Sequence, residues 1–567
     1  MDQLPANNDD LDRTDTTSKD QASVTQVEDA GQPGSPLRID HLHGKVLVLA
    51  FAGWLVTEFM GGMGGNMLAP ALPVISSQFD ALDKLGWVSG AYYMTQCGSM
   101  LLFGQFSELF NAKYALLGAI SIFMLGSTLS GAGQNTTALI AGRAVAGIGS
   151  AGCYITCQTL VAYLVDLEYR PMIFGLFGLQ NAISGTVGPI IAGAFANSSD
   201  SNLWRMCFLI VLPLGAISIA LNIFVMPAVP ALPLEQDLQE KLQARLRLVS
   251  NREWNNVTPN QAGWLLVDWL GFIVVTSSLV CFVLAMQWGG STYAWNSTTV
   301  IGLFVAFAGL FVVFTCTQGF FALFPLMPFR VLRNRTVVGA CMMALFCFMC
   351  NLFITTYLPV VYEAGRGSSS LQAGINMIPY LLSIILAQLA EGMLLKWTKY
   401  YWYWGILSPS LIALGSGLLW TIDSSSSSAK LIGFQIICGL GIGLTQGIPI
   451  IAVQADNKEE NVSAALSILA FTQLFGGMCG PVIGSAILND RLAKFLPAAG
   501  VDPEVITKVV SSVFNIWDLP EATRNVVIEV YIRSLRYIFI VPAPLTALVI
   551  TGGLIMRNVP LGNGARH

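Results

Sequence analysis

Long apolar stretches, separated by short polar or glycine-rich segments, recur fourteen times between positions 46 and 556. They fall at 46–70, 87–107, 115–134, 138–164, 171–195, 206–226 and 264–287. The later ones are 299–322, 337–361, 371–395, 402–421, 430–453, 464–487 and 535–556. A bilayer's hydrocarbon core is about 30 Å thick and takes roughly 20 helical residues to cross. Backbone groups in lipid must pair internally, so the pattern predicts fourteen spanning helices, numbered here spans 1–14. Residues 1–44 are polar, acidic and rich in Asp, Thr, Ser and Gln, which predicts a disordered tail. The first apolar stretch outruns a signal-peptide core, so no cleavable signal is expected.

Lysine and arginine in the short connections set the orientation. With the N-terminus in the cytoplasm, inner connections hold Lys113, Arg170, Lys241, Arg245, Arg247, Arg252, Arg330, Arg333, Arg335, Lys396, Lys399 and Lys458. The short outer ones hold only Lys84, Arg205, Arg366 and Lys430. An even number of spans then returns the C-terminus to the cytoplasm. Residues 228–262 read as a charged inner loop with an amphipathic stretch from Leu238 to Val249. Residues 488–534 read as an outer loop with helices opening at Pro503 and Pro520, a lid over the barrel mouth.

Composition narrows the partners. Of 567 residues, 54% are hydrophobic and 11% charged, against about 25% charged in a soluble chain, so most of the surface must face lipid. A net charge of −4 gives no reason to expect nucleic acid. The three histidines, His41, His43 and His567, lie in the tails, which excludes a histidine proton relay inside the membrane. The cysteines lie in apolar runs, so neither a disulfide framework nor a metal site is read from Cys153/Cys157 or Cys347/Cys350. Neither a nucleotide-binding loop nor a catalytic constellation is visible, so no cofactor and no enzymatic activity are expected.

The two ends of the chain repeat each other. Gly188-Pro189 in span 5 and Gly480-Pro481 in span 13 stand 292 positions apart, as do Gly147 in span 4 and Gly439 in span 12. The matching offsets imply a duplicated six-helix bundle, spans 1–6 and 9–14, with spans 7 and 8 inserted. The chain then divides into a tail (1–44), an N-terminal bundle (45–227) and an inner loop (228–262). An inserted pair (263–323), five further spans (324–487), an outer loop (488–534), a last span (535–557) and a cytoplasmic tail (558–567) follow. Duplicated halves that rock about a central site are a known route to alternating access.

These residues resemble the fourteen-spanner drug:proton antiporter branch of the major facilitator superfamily, in its fungal form, over roughly residues 45–557. Gly104-Gln-Phe-Ser-Glu108-Leu-Phe-Asn111-Ala-Lys113 resembles the superfamily's inner-loop motif, and Arg143 with Gly147 and Gly149 its span-4 motif. Gly175, Ser184, Gly188-Pro189 and Gly193 resemble the span-5 antiporter motif. The chain departs from the pattern at Glu108, Asn111, Ser184 and Ala192. At Gly64 it lacks the acid this branch commonly carries in span 1. The resemblance implies the major facilitator fold, proton-driven export and a role for Arg143 in proton coupling.

Candidate residues follow from intramembrane polarity. Glu58 lies near the middle of span 1, where an acidic side chain costs on the order of 2.5–3.5 kcal/mol. With no acid at Gly64 and no intramembrane histidine, Glu58 is the first choice for the exchangeable proton. A structural acid bonded to a neighbouring helix is the alternative. Arg143 needs a carboxylate or carbonyls, and Glu58 is one candidate partner. Asp268 and Glu391, near the membrane surfaces, read as solvated anchors. Glu108, Lys113, Asp166 and Arg170 are expected to contact inner helix ends and latch the inner mouth. Gly185, Gly188, Pro189 and Gly193, with Gly480 and Pro481, are expected to bend and closely pack spans 5 and 13. Asn181 and Gln473, 292 apart, suit a substrate cavity, with Asn66, Gln180, Asn351 and Gln446 added. Asn197 and Asn296 open glycosylation sequons in outer connections.

The reading is therefore a multi-pass, monomeric, proton-gradient-driven exporter of hydrophobic or amphipathic small molecules, a fungal metabolite, toxin or xenobiotic. The plasma membrane is its expected site and the vacuolar membrane the alternative. Competing readings are uptake or vacuolar transport of a siderophore or basic amino acid, and a transporter-like receptor that moves no solute. Topology is directly testable. Tags at both termini should stay protected from outside reagents in intact cells while a tag at 500–518 is labelled. The opposite pattern would reverse the orientation.

Overall fold

The computed structural model describes residues 44–560 except 69–70, 72–74, 76–77, 80–84, 167–168, 197–201, 228–258, 291–292, 425 and 512. Leu238 to Val249 and Asn197 lie outside the described residues, as do the N-terminal 43 residues. All fourteen apolar runs are helical. Spans 1–5 are Gly44–Asn66, Leu85–Leu109, Ala112–Ala132, Thr136–Leu164 and Arg170–Ala196. Spans 6–9 are Leu203–Val225, Trp269–Trp288, Thr298–Phe320 and Arg335–Arg366. Span 10 is Ser370–Asn376 with Ile378–Thr398, and span 11 is Trp402–Trp420. Span 12 divides into Ser428–Gln446 and Ile448–Asp456, and span 14 into Glu521–Phe539 and Pro542–Ile555. Span 13, Glu459–Ala498, is one helix of 40 residues that runs eleven positions past its apolar stretch. Among the described residues, eleven helices are long and apolar enough to cross a membrane, and spans 2, 5 and 11 pack among them.

Local sequence decides where several spans begin. Asn111, Asn135, Asp268, Ser297, Asn334 and Ser427 each accept a hydrogen bond from a first-turn amide. Such caps satisfy donors that the helix itself leaves unpaired. Between spans 13 and 14 lies a short helix, Pro503–Ser511, and span 14 opens at Glu521, so both outer-loop helices start where proline suggests. Trp517 ties this connection to span 9, donating from its ring nitrogen to the Glu363 carbonyl at 2.9 Å. Its ring lies against Gly367, whose φ of 63° ends the helix.

The packing is duplicated. Span 4 lies against spans 2 and 3, as span 12 lies against spans 10 and 11. Span 1 packs on spans 5 and 6, as span 9 packs on spans 13 and 14. The two halves meet where span 2 crosses span 13 and span 5 crosses span 10, a pair of contacts that exchange under the repeat. Spans 7 and 8 pack on each other, with span 7 along span 2. Phe282 and Phe307 of this inserted pair stack with Phe475 of span 13, so the insertion touches both halves.

Glycines set the closest approaches. A Cβ at Gly439 would lie 2.6 Å from the Tyr380 carbonyl oxygen, and one at Gly147 would strike the Tyr92 carbonyl. The glycines stand 292 positions apart and the tyrosines 288, so the repeat holds with a slightly different offset in spans 2 and 10. The antiporter-motif glycines are less equal. A Cβ at Gly480 would lie 2.8 Å from the Met349 carbonyl oxygen, and Gly476 and Gly484 are as tight against Leu345 and Tyr357. A Cβ at Gly188 would sit 3.3 Å from Met67 Cγ, at Gly185 it would come no nearer than 3.8 Å, and at Gly193 it would meet nothing within 4 Å. The expectation of equally close packing thus fails at Gly185 and Gly193, because span 5 meets span 1 through side chains, not backbone. Pro189 and Pro481 both lie inside their helices. Gly480→Ala should therefore destabilise the protein by about 1–3 kcal/mol. Gly193→Ala should leave the thermal midpoint in detergent unchanged. Equal midpoints for the two variants would contradict this packing.

Candidate functional site

At the end of the bundle that carries Lys113, Arg170 and Arg330, the two halves are bonded together. Gly104 of span 2 faces span 13, where its carbonyl accepts from Ser463 Oγ at 3.0 Å and any Cβ would collide with Ser467. One turn on, Glu108 Oε1 accepts from the Ala464 amide at 2.8 Å, with Arg330 within electrostatic reach. Glu108 is 7% exposed, and its buried carboxyl oxygen is satisfied by this backbone N–H. Arg170 grips the end of span 4 through the Val165 and Ala162 carbonyls and reaches Gln454 of span 12 at 3.4 Å. Lys113 donates to the Ile223 and Met226 carbonyls and closes the end of span 6. Glu108, Lys113 and Arg170 thus meet helix ends through backbone groups, and Arg170 also reaches the Gln454 side chain. Asp166 stands half-buried in the connection after span 4. In the same half of the bundle, Gly175 and Gly178 of span 5 lie against Gln388 of span 10. This mouth is closed.

Deeper in, Arg143 is 1% exposed and held by carbonyls. Nη1 donates to Gly64 O at 2.7 Å and Nε to Val88 O at 3.3 Å, and the guanidinium lies 4.2 Å from the Tyr92 ring centre. Glu58 is not its partner. Of the two kinds of partner expected for Arg143, a carboxylate or carbonyls, it takes the carbonyls, and Gly64, near the end of span 1, supplies one of them. A Cβ at Gly64 would also lie 2.6 Å from the Phe123 ring, so this helix–helix contact leaves no room for the branch's usual acid. Glu58 is instead turned toward Cys153, Tyr154 and Cys157 of span 4, within electrostatic reach of all three. Its Oε1 is buried and has no hydrogen-bond partner. Tyr154 donates to Gln473 of span 13 at 3.4 Å, which places Glu58 beside a polar link between the halves.

The other amides are distributed. Asn66 of span 1 donates to Gly62 O and sits beside Gly185 and Gly188. Asn181 is exposed, and its Oδ1 faces Gly62. Gln180 is buried with an unpartnered Nε2. Asn351 accepts from Tyr380 at 2.8 Å, and Gln446 accepts from Gln388. Cavities of about 450 and 400 Å3 lie on the flanks, one between span 13 and the inserted pair and one beside Asp268.

Two sequence expectations need correction. Asp268 is not a solvated anchor. It caps span 7 through Gly271 N, and Gln318 of span 8 donates to its Oδ2 at 2.6 Å. Glu391 is not solvated either: it is 4% exposed and accepts from Gly447 N at 3.2 Å. Both were misread because distance from the apolar run's end does not reveal what a neighbouring helix covers. Tyr92, Tyr154 and Gln388 escaped the sequence reading, although each is a polar group inside an apolar run. Asn296 is exposed between spans 7 and 8.

With this geometry described, the comparisons are specific. A family model described as the Major Facilitator Superfamily matches residues 54–324. The MFS-type efflux pump MFS1 of Arthroderma benhamiae is 34% identical over 525 residues, 92% of each chain. The chain belongs to the major facilitator superfamily. The efflux pump aflT of Aspergillus parasiticus is 30% identical over 92% of this chain and 97% of its own. The MFS-type transporter astH of Aspergillus oryzae is 30% identical over 95% and 91%. The human organic anion transporter MFSD10 shares the fold, with a TM-score of 0.55 and 11% identity, over 89% of this chain and all of that one. This is a multi-pass integral membrane transporter of small molecules, of the fungal efflux type within the superfamily.

The gate contact can be tested apart from transport. Glu108→Ala strands the Ala464 N–H and should cost about 1–3 kcal/mol, which shifts the open fraction by roughly 5–150-fold. A cysteine at Ser467, alkylated from the side of the tails, should react faster in that background. An unchanged rate would show that Glu108 does not hold the mouth shut.

Proposed function

We propose that this transporter exports small hydrophobic or amphipathic organic molecules in exchange for protons, by alternating access, with both termini in the cytoplasm. The names of the fungal efflux pumps it resembles support the direction. The surplus of Lys and Arg at the closed end supports the orientation. The closed mouth is then the cytoplasmic one. The plasma membrane is the expected location, where export protects the cell from its own metabolite or from a foreign toxin.

One observation carries the coupling. Glu58 is an acid deep in span 1 with an unpartnered, buried carboxylate oxygen, beside the Tyr154–Gln473 link between the halves. An unpaired acid at that depth is costly and marks a functional position. When the halves separate, Tyr154 and Gln473 part, and water or substrate gains access to Glu58. Proton binding and solute binding at this junction would then alternate. Arg143, held by Gly64 and Val88, positions span 1 against spans 2 and 4 and so fixes where Glu58 points.

The test uses proteoliposomes with an imposed pH gradient and rhodamine 6G as the amphipathic probe. The wild-type chain should accumulate the dye only while the gradient stands. Glu58→Gln should bind the dye with unchanged affinity and lose uphill accumulation to the level of a protonophore-treated control. Gradient-driven accumulation by Glu58→Gln would leave Glu58 a structural acid. Binding without accumulation in the wild type would favour a receptor.

A further inference from the structure

The repeat makes one more acid, the buried Glu391, conspicuous. With the 288-residue offset of spans 2 and 10, Tyr92 matches Tyr380, Thr95 matches Ser383, and Gly104 matches Gly392. Glu391 then matches Phe103, a buried phenyl ring at 2% exposure. The N-terminal half places Phe103 against Gly152 of an unbroken span 4, Thr136–Leu164. In the C-terminal half, span 12 is interrupted at Gly447, between Ser428–Gln446 and Ile448–Asp456. Position 447 matches Ile155 in span 4. The acid and the helix break thus occur together in one half, and neither occurs in the other.

The geometry joins them. Glu391 Oε2 accepts from Gly447 N at 3.2 Å, and a Cβ at Gly447 would lie 2.7 Å from both carboxyl oxygens. Pro449 then removes an amide donor from the first turn of the nine-residue segment that follows. Glu391 Oε1 is buried and unpartnered. Span 9 presents the Cys347 thiol to the carboxyl, and span 12 presents only Gly447 backbone. Span 5 crosses span 10 through Gly175 and Gly178, one turn away at Gln388. The charged groups at the near ends are occupied: Arg170 on carbonyls and Lys396 over the Tyr169 ring. Among the described residues no charged side chain acts on Glu391.

We propose that Glu391 and the break at Gly447 form a second proton-binding site, in the C-terminal half and separate from Glu58. A proton taken from water at the cytoplasmic mouth sits on Oε1. When it leaves to water, the carboxylate's countercharge is the Gly447 amide and the positive end of Ile448–Asp456. The protonation state then sets how firmly the lower segment of span 12 is held to span 10. That segment carries Gln454, which Arg170 engages across the halves, so the joint feeds the cytoplasmic latch. This deepens the proton-coupled reading and rests on it for its role in transport, although the site itself is testable alone.

Dicyclohexylcarbodiimide reacts with protonated carboxyls in apolar surroundings, and mass-spectrometric peptide mapping locates the adduct. In the full chain in lipid vesicles, Glu391 should be labelled at acid pH, with labelling falling about tenfold per pH unit above its midpoint. Amide protection in 448–456, corrected for the intrinsic pH dependence of exchange, should change over the same pH range. Glu391→Gln keeps an acceptor for Gly447 N–H, so it should preserve the fold and abolish both pH dependences. Glu58→Gln should leave the Glu391 profile unchanged. No adduct at any pH, a flat profile, or an unaltered exchange profile in Glu391→Gln would overturn this site. Loss of dye accumulation in Glu58→Gln alone would leave the export reading standing.

Discussion

Apolar helices in a bilayer gain nothing from leaving water when they meet, because the lipid around them is as apolar as their side chains. Close contact between backbones has to supply the attraction, and that requires surfaces without side chains. Gly147 and Gly149 on span 4, with Gly439 and Gly441 on span 12, bring each of these helices onto backbone atoms of two neighbours. Dispersion contacts are individually small and act only at close range. These two helices therefore act as the central posts of their halves, and the remaining spans are placed around them.

A fold built on such contacts gains places where polar groups can be enclosed. Arg143 lies where span 4 meets spans 1 and 2, and its donors reach one carbonyl on each. The halves themselves are joined by polar contacts that include Glu108 to Ala464, Ser463 to Gly104, Arg170 to Gln454 and Tyr154 to Gln473. That division suits a machine whose halves stay rigid while the seam between them opens. The inserted pair adds an aromatic flank, Phe282 and Phe307 against Phe475, which can slide without breaking hydrogen bonds.

The buried acids sit off the symmetry. Leu72-Pro73 after span 1 and Leu358-Pro359 in span 9 stand 286 positions apart in sequence, and with that offset Glu58 matches Ala344, while Glu391 matches Phe103. Each half thus carries one carboxylate where its twin carries an apolar side chain. Duplication supplied the scaffold, and these two positions depart from it. The sequence reading found Glu58 because it lies mid-span, far from any surface. It misjudged Glu391 because a position near the end of an apolar run looks solvated until Gly447 is seen to cover it.

By itself the sequence determined the number of spans, their helical form, the duplication and the caps that start many of them. Those features depend on lipid, on backbone hydrogen bonding and on residues within a turn of each other. The break in span 12 was half-legible, written as Gly447 and Pro449, yet nothing local says that a carboxylate from span 10 fills it. The tertiary structure alone decided which partner each buried polar group takes. Arg143 chose the carbonyls of Gly64 and Val88 over Glu58, and Gly193 has no neighbour that requires a glycine. Such choices turn on the rotation of one helix against another, and a difference of a few ångströms between chains hundreds of residues apart leaves no periodic mark in either.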